Sequence, residues 1–84
     1  MDRLIEPKTI ELYEAFRELE KVHAIGPSSR ELMEALGWTS RATYQENIRR
    51  LMSFGLIVSI ESSGHKRFRS AQLHRQLMEA GIIG

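Results

Sequence analysis

The sequence predicts a small, mainly α domain carrying one β-hairpin, an α+β class. Three observations lead there. Apolar residues recur at helical spacing through the first two-thirds of the chain. Capping and stop residues divide that stretch into three helices. The segments LIVSIE and HKRFRS, on either side of Ser62-Ser63-Gly64, are rich in β-branched residues or alternate in the manner of two short strands.

The first helix is expected from Pro7, which suits a first helical turn, and from Ile10, Leu12, Tyr13, Phe16, Leu19 and Val22 as its inward side. Ala24-Ile25 reads as a very short extended piece before Gly26-Pro27 turns the chain. Ser28 and Glu31 have capping-box spacing and open a second helix, with Leu32, Met33, Ala35 and Leu36 inward and Gly37 as its stop. Trp38 fills the turn that follows, and either Thr39 or Ser40 can cap a third helix over residues 40–54. Its core side carries Tyr44, Ile48, Leu51 and Asn47. The opposite side carries Ala42, Gln45, Glu46, Arg49 and Ser53, flanked by Thr43 and Arg50. Phe54-Gly55 ends it. After the hairpin, Ser70 can cap a last helix over 71–80, with Leu73, Leu77, Met78 and Ala80 as its stripe. The 84 residues make one domain, with its core in 8–70.

Composition narrows the function. There is no cysteine, hence no disulfide framework or thiolate metal site. No apolar run approaches the roughly 18 residues of a membrane span, and the start MDRLIEPK lacks signal-peptide features. A cytoplasmic protein, or a virus-encoded one acting in the host cytoplasm, is expected. His23, His65 and His74 lack metal-ligand spacing, and no phosphate loop or nucleophile motif is present, so neither metal, cofactor nor catalysis is expected. The net charge of +1 conceals an asymmetry: residues 1–40 carry five bases and eight acids, whereas 41–75 carry seven bases and two acids. A basic half of this kind attracts polyanions.

The polar outer side of the third helix, beside a basic hairpin, gives that attraction a shape. A helix of about 10–12 Å diameter fits the roughly 12 Å major groove of B-form DNA when its outer side is slim and polar. Gln45 can pair with an adenine edge, Arg41 or Arg49 with guanine, and Glu46 with cytosine, while Ala42 and Thr43 allow close approach to thymine methyls. Ser40, at the start of the third helix, belongs to the same groove-facing set, and Ser28, Ser29 and Arg30 at the second helix's start, with Arg50, suit phosphates. His65, Lys66, Arg67 and Arg69 let the hairpin lie on the backbone or in the minor groove. Plainer roles exist for the same residues: Glu46 and Arg50 stand at i,i+4 spacing and can pair with each other, and charge in HKRFR can protect an edge strand.

The element order, PSSREL followed by LGW, and FGLI after the third helix together resemble a winged helix-turn-helix domain, similar to the DNA-binding domain of LexA-type repressors. The likeness covers residues 9–69. It implies a three-helix core with a wing over 62–69, to which the helix over 71–80 adds a C-terminal element, and it implies sequence-specific binding of double-stranded DNA with helix 40–54 in the major groove, and repression of transcription in a bacterial, archaeal or viral setting. Two features depart from that family: Ser40-Arg41-Ala42 replaces its usual Ser-Pro-Asn, and the self-cleaving domain is not carried over. A homodimer joined through Leu73, Leu77, Met78, Ile82 and Ile83 is expected, since two-fold proteins bind paired half-sites. The alternative is a winged-helix protein-interaction module in a transcription or replication assembly, because fold alone does not decide function.

Overall fold

The computed structural model describes residues 6–22, 26–62 and 65–83, with the side chains of 61–66 excepted. Its elements are α1 (Pro7–Glu20), α2 (Ser29–Leu36), α3 (Arg41–Ser53), β1 (Ile57–Ser62), β2 (His65–Ser70) and α4 (Ala71–Glu79). The two strands form an antiparallel hairpin, so the domain is mainly α with one small sheet. The expectations for Ala24-Ile25 and for the Ser63-Gly64 turn lie outside the described residues.

Pro7 occupies the first turn of α1, where its missing N–H leaves no bond unmade. Leu12, Phe16 and Thr9 set the buried side of that helix. Two inward assignments are corrected. Ile10 lies about 100° around the helix from Thr9 and is exposed, and Val22 lies beyond the helix end and is also exposed.

In α2 the capping box forms in full: Glu31 N donates to Ser28 Oγ at 3.1 Å and Ser28 N to Glu31 Oε1 at 2.8 Å. Leu32 is buried, with Met33 and Leu36 packed against the core. Ala35, expected inward, is exposed because Leu32, Met33 and Leu36 centre the apolar stripe on the other side. Gly37, at φ 70°, lets Trp38 N donate back to Met33 O at 2.9 Å and ends the helix. The Trp38 ring packs on the core edge, with Lys8 Nζ 5.5 Å from its centre.

Ser40, rather than Thr39, caps α3: its Oγ accepts from Thr43 N at 3.2 Å. Tyr44, Asn47, Ile48 and Leu51 turn inward, as the wheel predicts. Asn47 is buried yet fully engaged, accepting from Thr9 Oγ1 at 2.6 Å and donating to Thr43 O at 2.9 Å. The bond from Thr9 ties α1 to α3 and fixes how α3 is rotated about its own axis, while the bond to Thr43 holds the Asn47 amide in place. Gly55, at φ 74°, closes α3 and hands the chain to β1.

The hairpin register runs from Ile57↔Ser70 to Ser62↔His65. Ile57 joins the core, with Phe68 packed partly against it. Ser70 both ends β2 and caps α4, its Oγ accepting from Leu73 N at 3.2 Å. It is itself fastened by Glu20, whose carboxylate accepts from Ser70 N at 2.6 Å and Ser70 Oγ at 2.8 Å. Arg17 Nη1 adds a bond to Gln72 Oε1 at 2.7 Å. The C-terminal end of α1 thus holds the start of α4. No residue of α4 is fully buried: Leu73 and Leu77 are half-buried and Met78 is exposed, and beyond the helix end Ile82 is exposed and Ile83 half-buried. Among the described residues no helix is long and apolar enough to cross a membrane.

Candidate nucleic-acid interface

The outward side of α3 presents Ala42, Gln45, Glu46, Arg49 and Ser53, all exposed. One flank of it faces β2 across a groove of about 630 Å³. Arg41, Gln45, Arg49 and Met52 form the α3 wall, and Tyr44 and Ile48 form the bottom. Pro27, Ser28 and Ser29 close one end, and Arg67 and Phe68 stand on the hairpin side. Three elements predicted separately from the sequence therefore meet at one concavity. It contains three guanidinium groups, and none of the residues assigned to its lining is an acid.

Two contacts position the hairpin beside α3. Arg67 Nη1 donates to Gly26 O at 3.0 Å. Gly26 itself has φ 105°, and a Cβ there would lie 2.5 Å from the carbonyl oxygen of Phe68. Only glycine lets the turn before α2 approach β2 this closely.

At the groove bottom, burial pushes the Tyr44 phenol up to about 12, partly offset by the nearby positive charge of Arg41. Tyr44 therefore presents a neutral hydroxyl throughout the physiological range.

Compared with family models, curated proteins and solved structures, the chain matches none. The geometry alone carries the functional reading.

Not all of the predicted site residues belong to this surface. Arg69 is corrected. It is only 7 % exposed, and its Nη1 lies 3.2 Å from His74 Nδ1 of α4, so it packs under that helix instead of reaching solvent. Arg50 is engaged within the domain: Nη1 bonds Glu6 at 2.8 Å and Nη2 bonds Glu46 at 2.9 Å. The plainer i,i+4 pairing of Glu46 with Arg50 is what forms, and Glu6 extends it to the start of α1. Thr43 is half-buried on this same flank, its carbonyl engaged by Asn47. Ser40 is exposed and engaged as a cap, while Arg30 is exposed on α2 outside the groove lining. The side chains of His65 and Lys66 lie outside the described ones.

Sequence reasoning missed Met52, 42 % exposed on the groove wall, and gave no site role to Phe68, which also lines the groove. The signal for Met52 was present. Arg41, Gln45, Ile48 and Met52 follow one another at intervals of four, three and four residues, and Arg49 stands four after Gln45 and three before Met52, which places them along one side of the helix.

Proposed function

We propose that this domain is a winged helix-turn-helix regulator that binds double-stranded DNA sequence-specifically, with α3 in the major groove and the β1–β2 hairpin on the backbone or in the minor groove. The observation that carries the proposal is the juxtaposition of α3's Arg41, Gln45 and Arg49 with Arg67 of the hairpin around one concavity whose described lining holds no acid. Guanidinium groups recognise guanine edges and phosphates in two-point fashion, and Gln45 lies between two of them on the helix, where a carboxamide can read adenine. The Glu6–Arg50–Glu46 network sets two carboxylates against one guanidinium on the opposite flank of α3, leaving it net negative, so the reading edge is the one facing the hairpin. The domain acts by occupying its site and needs no cofactor. The exposed Met78 of α4 and Ile82 just beyond it supply the surface for pairing two copies on paired half-sites.

Selection of bound duplexes from a random pool, followed by a salt titration on the selected site, tests this reading. A recovered consensus and a slope corresponding to about 4 to 8 released counterions per dimer are expected. A slope near zero with no consensus overturns it.

One observation favours a second reading, a protein-docking module: Met52 is an exposed apolar side chain on α3 itself. Under that reading Met52→Asp abolishes capture of a protein partner, whereas Arg49→Ala does not.

A further inference from the structure

In the DNA reading, a duplex resting on the exposed side chains of α3 would leave the deepest part of the groove unused. Its bottom consists of Tyr44 and Ile48, only 4 % and 5 % exposed, below the level of the side chains that α3 would offer to base edges. Met52 and Phe68 continue this apolar surface on facing sides, and Arg41 and Arg49 stand at its rim. Small-molecule sites occupy about 300–1,000 Å³ and pair an apolar enclosure with a few convergent polar groups. The groove, at about 630 Å³, has both.

We propose that the groove is also a receptor site for a small planar aromatic anion, a ring bearing one carboxylate or phosphate. The ring lies against Met52 and Phe68, where a thioether and an aromatic edge suit a flat π-face. The anion lies on Arg41 and Arg49, whose planar guanidinium groups match either headgroup. The occupant must be negative because the described lining residues bring three cations and no acid to the site. An apolar body without charge would leave those cations unused, and a charge without a ring would leave the apolar surface wet. The regulatory half of the inference rests on the DNA reading. Arg41 and Arg49 cannot serve a headgroup and a duplex together, so the ligand releases DNA.

The test titrates the isotope-labelled full chain with naphthoate, naphthyl phosphate and neutral naphthamide, following amide resonances. The expected result is shifts confined to α3, β2 and the start of α2, with the anions binding roughly tenfold or more tightly than the amide. Comparing the two anions assigns the headgroup. Met52→Glu abolishes the shifts, and the exposed substitution Arg41→Gln removes most of the preference for anions over the amide. Equal binding of the amide, or shifts centred on α4, overturns the site. Competition against the selected duplex is read separately by anisotropy. A duplex that stays bound while the groove is filled overturns the regulation. If no duplex binds at all, the DNA reading fails, and the receptor site stands or falls on the resonance shifts.

Discussion

Arg49 and Arg50 are neighbours in sequence with opposite situations. Arg49 projects into solvent at the groove wall, whereas Arg50 is held between two carboxylates. Arg49→Ala is expected to weaken a selected duplex by about 1–3 kcal/mol. Arg50→Ala leaves that affinity within about twofold and lowers stability by no more than about 1 kcal/mol, since the pairs it breaks are solvent-screened. Anisotropy and urea melts on both variants check the contrast. Tyr44 gives a second prediction. Its folded value of about 12 lies above the model-peptide value of 10.0, so its stabilising contribution is complete below pH 10 and is lost as pH rises through about 12. The loss amounts to about 2–3 kcal/mol. Urea midpoints measured from pH 9 upward should fall for the parent chain and fall less for Tyr44→Phe. At this scale the sequence revealed which side chains face outward on α3. It did not reveal that Glu6 would reach Arg50, because a contact spanning 44 positions depends on how α1 and α3 cross.

The elements themselves were largely legible, because each carries local punctuation. Ser28 with Glu31, Gly37, Ser40, Gly55 and Ser70 all act where capping chemistry places them. Inward assignments failed where the pattern was ambiguous: Ile10 and Val22 are apolar but off the stripe defined by Leu12 and Phe16. The joint between hairpin and helices was not legible. Arg67 reads as a DNA contact in sequence, yet it also bonds the carbonyl of Gly26, and Arg69 two residues later is buried. The strand alternation puts both on one face, but only tertiary packing decides that α4 covers the second. Gly26→Ala tests the joint. With φ 105° and the Phe68 carbonyl oxygen 2.5 Å from the new methyl, the turn must move. A loss of about 1–3 kcal/mol is expected, together with amide shifts along β2, whereas Ser28→Ala, which removes one cap, costs about 1 kcal/mol without disturbing β2.

For the whole molecule, α4 is the least committed part. It is anchored at its start by Glu20 and Arg17, yet buries none of its own residues completely. Pairing of two copies through Met78 and Ile82 predicts that Met78→Glu with Ile82→Glu halves the mass in sedimentation and weakens duplex binding, with the fold intact by circular dichroism. A parent chain that sediments as a monomer at binding concentrations excludes the dimer. The sequence disclosed this stripe but not its outcome, since an apolar stripe reads alike whether it covers a core or meets a partner. The basic half of the chain translated more directly into a surface, because α3 and the hairpin are consecutive and pack side by side.

The Thr9–Asn47 bond has a consequence for discrimination. Buried polar pairs of this kind contribute little net stability, and Thr9→Val with Asn47→Leu together should melt near the parent temperature. What such a core would lack is a pin against rolling: α3 could settle at neighbouring angles, each offering a slightly different edge. The double variant would then hold cognate and scrambled sequences with nearly the same strength, a protein that still grips but no longer spells.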